Sequence, residues 1–125
     1  MKGKNQYIKV KSLKNQALIA EKCSVADSYF VRLRGLIGKS GLDEGSGMFF
    51  PSCKSIHMWF MRFSIDVVFL RFKKENIWTV SSVFENVRPW KIHPLVDWHA
   101  SGVLELPAGN SEKCQISVGD EICIS

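Results

Sequence analysis

The chain has 125 residues, 46% apolar and 23% charged, which suits one globular domain built around one core. Its formal charge is +5, yet Lys2, Lys4, Lys9, Lys11 and Lys14 all precede the first acid, and the rest of the chain balances at twelve basic and twelve acidic side chains. No apolar run approaches the ~20 residues of a membrane span. No apolar stretch of about 7–15 residues follows the N-terminal lysines, so a secretory signal is not expected and cytoplasmic location is the default. The basic surplus is assigned to a solvated N-terminal segment, residues 1–16, ahead of a single β domain, residues 17–125. A surplus confined to one end does not resemble the clustered basic face of a nucleic-acid binder, and nucleic acid is not expected as a partner.

In chain order, Tyr7–Val10 and Ala17–Cys23 read as short strands. Ser24 or Asp27 could cap a helix running to about Ile37, with Phe30, Leu33, Leu36 and Ile37 at helical spacing and Gly38 or Gly41 ending it. Gly41 to Gly47 is turn-rich. Met48–Phe50, Ser55–Met61, Ile65–Phe72 and Ile77–Val87 are rich in β-branched and aromatic residues, with Lys73 to Asn76 as the turn of a hairpin. Their near-continuous apolarity expects strands covered on both faces. Arg88 to Ser101 breaks the pattern with two prolines, two histidines and two tryptophans. Gly102–Leu106 and Glu121–Ile124 resume strands, separated by turn signals at Pro107 to Asn110 and at Gly119-Asp120. The fold class expected is mainly β, an antiparallel β-sandwich or barrel with one short N-terminal helix.

The most informative stretch is residues 55–70, where His57, Arg62 and Asp66 sit among residues that are otherwise almost wholly apolar. A charge in such surroundings costs several kcal/mol unless a partner compensates it. Cys23, Cys53, Cys114 and Cys123 have neither CxxC spacing nor a Cys/His ligand pattern, so buried thiols are expected rather than disulfides or zinc. No HxH or HExxH spacing, serine elbow or glycine-rich phosphate loop occurs, and neither a metal nor a cofactor is expected.

Taken together, Arg32-Leu33-Arg34-Gly35-Leu36, Gly47-Met48-Phe49-Phe50, residues 55–61, Ile65-Asp66-Val67-Val68-Phe69-Leu70, Val103-Leu104-Glu105-Leu106-Pro107-Ala108-Gly109 and Gly119-Asp120 resemble, in this order, domain-of-unknown-function family 192. The resemblance covers roughly residues 17 to 124. It implies a compact, mostly β domain with a jelly-roll-like or sandwich core, and it implies no established activity.

Asp66 is read either as a ligand-binding carboxylate or as a buried structural acid held by backbone amides or by Arg32 or Arg62. Glu105, between Leu104 and Leu106, repeats that situation, and Arg32 could serve as an anion clamp or as a partner for either acid. His57 shares a strand face with Trp59 and Met61, where a packed core histidine is the commoner role. Trp90 and Trp98 could stack on a ligand or plug one end of the fold. The leading expectation is a non-catalytic binding module for a small molecule or peptide, with a pocket near Arg32, His57, Trp59, Arg62, Asp66 and Glu105 and with Trp90 and Trp98 at its rim. Two alternatives stand beside it: an enzyme with Asp66 and Glu105 as a facing acid and base, and an adaptor that pairs through a strand edge.

Overall fold

A computed structural model describes residues 7–26, 41–56, 63–89 and 93–125. Nine strands occur among them: β1 (Ile8–Ser12), β2 (Leu18–Val25), β3 (Ser46–Pro51), β4 (Ser55–Ile56), β5 (Ile65–Lys74), β6 (Ile77–Val87), β7 (Leu95–Val96), β8 (Gly102–Pro107) and β9 (Glu121–Ile124). One single-turn helix, α1 (Asn110–Lys113), follows β8. Seven strands close a barrel in the order β1-β2-β3-β8-β5-β6-β9, and β9 returns to β1; β4 and β7 form a separate two-stranded sheet. The expected helix to Ile37 lies largely outside the described residues, although Ser24, one of its two candidate caps, belongs to β2.

Of the two architectures expected, the sheet forms the barrel and not the sandwich: it closes on itself through the pairing of β1 with β9, more than a hundred residues apart in sequence. Two features depart from expectation. The pair β2–β3 is parallel, and a parallel pair requires a long crossover; residues 26–45 supply it. Finally, β1 is a wall of the barrel, so the boundary drawn at residue 16 does not separate a solvated segment from the fold.

Alternation along the strands explains the burial. One set of side chains fills the lumen, with Val10, Ala20, Cys23, Phe49, Val68, Leu70, Val80, Leu104, Leu106, Ile122 and Ile124 in a single cluster. The opposite faces of β3, β5 and β8 carry Met48, Phe50, Ile65, Val67, Phe69 and Val103, and these pack under Ile56 of β4, Leu95 of β7, Ala26 and Ala100. The continuous apolar runs of β3, β5 and β8 therefore have two dry faces. In contrast, β6 keeps only Val80 and Val87 fully buried, because its outer face is uncovered over most of its length. Gly47 allows the close approach of β3 to β8: a Cβ there would lie 3.0 Å from the Glu105 carbonyl oxygen and 3.2 Å from a Leu106 methyl.

If β1 closes the barrel, Val10→Asp should place a carboxylate in a dry lumen and lower stability by several kcal/mol. Chemical denaturation reads this directly, and an unchanged midpoint would contradict the placement of β1.

Candidate functional site

The end of the barrel nearest α1 is organised by Asp66. It shares lumen parity with Val68 and Leu70, and its side chain is fully buried. Register places a bulge opposite it: Ile65 pairs with Val87 and Val67 with Phe84, so Glu85 and Asn86 together face one residue of β5. Asn86 takes φ 50° to make the bulge, a conformation asparagine tolerates better than most side chains. Its amide donates 2.8 Å to Asp66 Oδ1. On the other side, Gly109 turns the chain out of β8 with φ 91°. The amides of Gly109 and Ser111 donate 3.1 Å and 2.8 Å to Oδ2, and the Ser111 hydroxyl donates 2.6 Å to the same oxygen. The adjacent Asn110 side chain donates 3.1 Å to the Ile19 carbonyl of β2. Three backbone amides and one hydroxyl thus converge on a single side chain.

Glu105 is also fully buried, but it leaves β8 on the other face. Its register partners are Met48 and Val67, members of the outer cluster, whereas Asp66 pairs with Leu106, a lumen residue. The two acids therefore point to opposite sides of one sheet, and the facing acid–base pair does not form. The barrel's closure also removes the free edges of the main sheet, which leaves edges for an adaptor only on the short β4–β7 sheet among the described residues. Of the other candidates, Trp98 is 77% exposed in the loop after β7; Arg32, His57, Trp59, Arg62 and Trp90 lie outside the described residues.

Two grooves have walls hung on Asp66. One, of about 510 Å³, is lined by Val83 to Arg88 of β6 and its exit, and by Leu95 of β7. Its Phe84 ring packs edge-to-face on Phe69 with centroids 5.8 Å apart, so the floor is continuous with the outer core. The second, of about 300 Å³, is lined by Pro107 to Asn110 and Lys113 on one side and by Leu42 and Glu44 on the other. An exposed Lys113–Glu44 ion pair spans its mouth and holds the Glu44 carboxyl below its ordinary value.

Sequence reasoning missed a further carboxylate. Asp97 Oδ2 accepts from the hydroxyls of Ser81 and Ser82 at 2.7 Å each, and Oδ1 accepts from the His99 amide at 2.9 Å. Lys54 Nζ reinforces the same loop by donating to the carbonyls of Trp98 (3.3 Å) and Ala100 (3.0 Å). These contacts tie the loop after β7 to the outer face of β6. Desolvation raises the Asp97 pKa, but the hydroxyls of Ser82 and Ser81, the His99 amide and the His99 charge outweigh it and hold the carboxyl below its ordinary value of 3.8. The Ser81-Ser82 doublet was the local signal for this contact, yet nothing in the sequence pairs it with Asp97. All four cysteines are thiols, and burial pushes Cys23 up to about 12. No cluster of three or more His, Cys, Asp or Glu side chains suited to a metal ion occurs among the described residues. No helix there is long and apolar enough to cross a membrane.

Residues 10–124 match the model of the DUF192 family, described as "Uncharacterized ACR". The chain belongs to that family. It is 32% identical over 102 residues to a UPF0127 protein of Thermococcus sibiricus, a match that covers 78% of this chain and 62% of that relative's length. The fold is similar to the crystal structure of a protein of unknown function from Novosphingobium aromaticivorans, with TM-score 0.73 and 20% identity over 92% of this chain and 81% of that one. It is also similar to a candidate transcription regulator from Sinorhizobium meliloti, with TM-score 0.76 and 19% identity over 98% of both chains. The DUF192 barrel is therefore shared well beyond recognisable identity.

Two outcomes follow from these carboxylates. Asp66→Ala takes the acceptor from three amides and a hydroxyl, with both Ser111 donors buried, and should cost at least ~3 kcal/mol, while Ser111→Ala removes only the hydroxyl bond and should cost about 1 kcal/mol. Equal, small losses in denaturant titrations would contradict the web. For Asp97 the folded pKa lies below the unfolded one. Its contribution should be complete above about pH 4 and fade as the pH falls through the folded value. The stability gap between the natural chain and Asp97→Asn should therefore narrow on acidification below about pH 4, and a gap independent of pH would exclude a charged Asp97 as the tie.

Proposed function

We propose that this DUF192 domain is a non-catalytic binding module that takes a small organic ligand or a short peptide in the groove along the end of β6. The observation that carries the reading is the groove of about 510 Å³ with apolar surface from Val83, Phe84, Val87 and Leu95 and polar groups from Glu85, Asn86 and Arg88. That size and mixture is typical of sites that bury a small ligand on apolar walls and orient it with a few polar groups. Bulges are frequent beside binding sites because they re-aim side chains. Here the bulge is fixed from behind by Asp66, so a ligand would meet walls already ordered, which reduces the cost of binding. Arg88 favours a ligand that carries a carboxylate or another anionic group. A cytoplasmic setting fits four cysteines kept as thiols.

The test is a fragment and short-peptide titration, rich in carboxylates, followed by amide shifts in two-dimensional NMR. Hits should move residues 84–88 and Leu95 together, and anionic hits should weaken about tenfold in Arg88→Ala, equivalent to roughly 1.4 kcal/mol. Hits that map only elsewhere, or no hit at millimolar concentration, would overturn the assignment.

A further inference from the structure

The β4–β7 sheet keeps a free edge, and its hydrogen-bond alternation says which backbone groups lie on it. Ser55 pairs with Val96 and Ile56 with Leu95. In the same register the Asp97 amide donates 2.9 Å to the Lys54 carbonyl, so Lys54 and Asp97 form a hydrogen-bonded pair. An antiparallel ladder alternates bonded and non-bonded pairs. Leu95 therefore bonds to Ile56, whereas the N–H and C=O of Val96 point away from β4. They lie on the outer edge of β7 and have no backbone partner among the described residues. The Val96 side chain is exposed as well. This edge is short at both ends. Pro94 has no N–H to extend it upstream, and downstream the chain turns where the Ala100 amide donates to the Asp97 carbonyl.

That edge borders the groove along β6. Leu95 lines the groove while Ser55 and Ile56 of β4 do not, which places the groove on the side of β7 away from β4. In addition, β7 runs against β6: Asp97 is held by Ser81 and Ser82, while Leu95 shares the groove with Val83 to Arg88. A chain added antiparallel to β7 at Val96 would thus point its C-terminal end towards Arg88. Arg88 is exposed and forms no ion pair among the described residues. Its guanidinium has the fork geometry that matches a carboxylate.

We infer that the groove takes the C-terminal segment of a partner protein, bound extended as a third strand on the edge of β7. Its terminal carboxylate sits on Arg88 and an apolar side chain on Phe84, Val87 and Leu95. This rests on the groove being the binding site and names its occupant. Strand addition draws affinity from main-chain hydrogen bonds and specificity from pockets for alternate side chains. A chain end suits this edge better than an internal segment. The ladder offers one residue, and a terminus adds a charge-assisted anchor, whereas an internal segment would run on past Pro94, where the ladder lacks a donor.

The experiment uses the full chain and a labelled hexapeptide library ending in valine, leucine or phenylalanine, each member made as free acid and as C-terminal amide. Fluorescence anisotropy should find free-acid binders whose amides bind at least tenfold more weakly, since a charge-assisted pair is lost. In Arg88→Gln, shown folded by its thermal melt, acid and amide should bind alike; Lys113→Gln, outside the groove, should preserve the difference. Methylating the amides of the best binder one at a time should weaken it about fivefold or more at a single position, the one that pairs with Val96. In hydrogen exchange on the natural chain, the Val96 amide should exchange freely without peptide and slow about tenfold or more at saturation. Equal affinity for acid and amide, or binding that leaves Val96 exchange unchanged, would overturn the proposal. So would a Val96 amide already protected in a dimer seen by sedimentation, which would give the edge to a second copy. If a small carboxylate such as isovalerate moves residues 84–88 but no peptide protects Val96, the groove reading stands and strand addition fails; if neither probe binds, both fail.

Discussion

One buried carboxylate decides the geometry of the α1 end of this barrel. Asp66 gathers donors from two segments that otherwise have no reason to lie together: the bulge of β6 and the turn that leaves β8. Each donor is freed by local backbone geometry. Asn86 leaves the ladder because two residues face one, and Gly109 and Ser111 sit where the strand gives way to a single helical turn. Buried amides without partners are costly, and a charged acceptor forms stronger hydrogen bonds than a neutral one. The bulge, the turn and the acid therefore stabilise one another, and both grooves inherit their shape from that arrangement.

Layering sets what the rest of the barrel can do. Where β3, β5 and β8 are dry on both faces, every side chain is committed to packing, and Glu105 is buried within that layer on the outer face. Where β1, β9 and β6 are dry on one face only, their outward residues are at liberty to carry charge. The groove forms at the junction of these regimes, where β6 passes from the uncovered wall towards β7.

Much of the fold was legible. Alternation and turn chemistry located β5, β6 and β9 closely, since each is bounded by local signals such as Glu75-Asn76, where Asn76 adopts φ 65°. The double burial of β5 was visible in its unbroken apolar run. The choice between barrel and sandwich was not, because closure depends on pairing Lys11 with Cys123, a contact no local pattern encodes. The same limit applies to the candidate site. Asp66 and Glu105 stood out as charges in apolar strands, but whether they face one another depends on register, and a shift of one residue reverses a face. The partners of Asp66 were hidden for a different reason. A bulge and a single turn of helix have almost no compositional signature, and serine at position 111 resembles any turn residue. The family likeness, by contrast, was carried by short motifs that survive in order.

The most direct measurement is amide hydrogen exchange under native conditions at Asn86, Gly109 and Ser111. These amides come from separate segments, yet one acceptor holds them all. They should exchange slowly in the natural chain, and Asp66→Ser, which removes both carboxylate oxygens, should speed all three together by a common factor while lumen amides such as that of Leu104 keep their protection. If Asn86 remains protected while Gly109 and Ser111 open, or if all three already exchange at the rate of exposed loops in the natural chain, the carboxylate does not join the bulge to the turn.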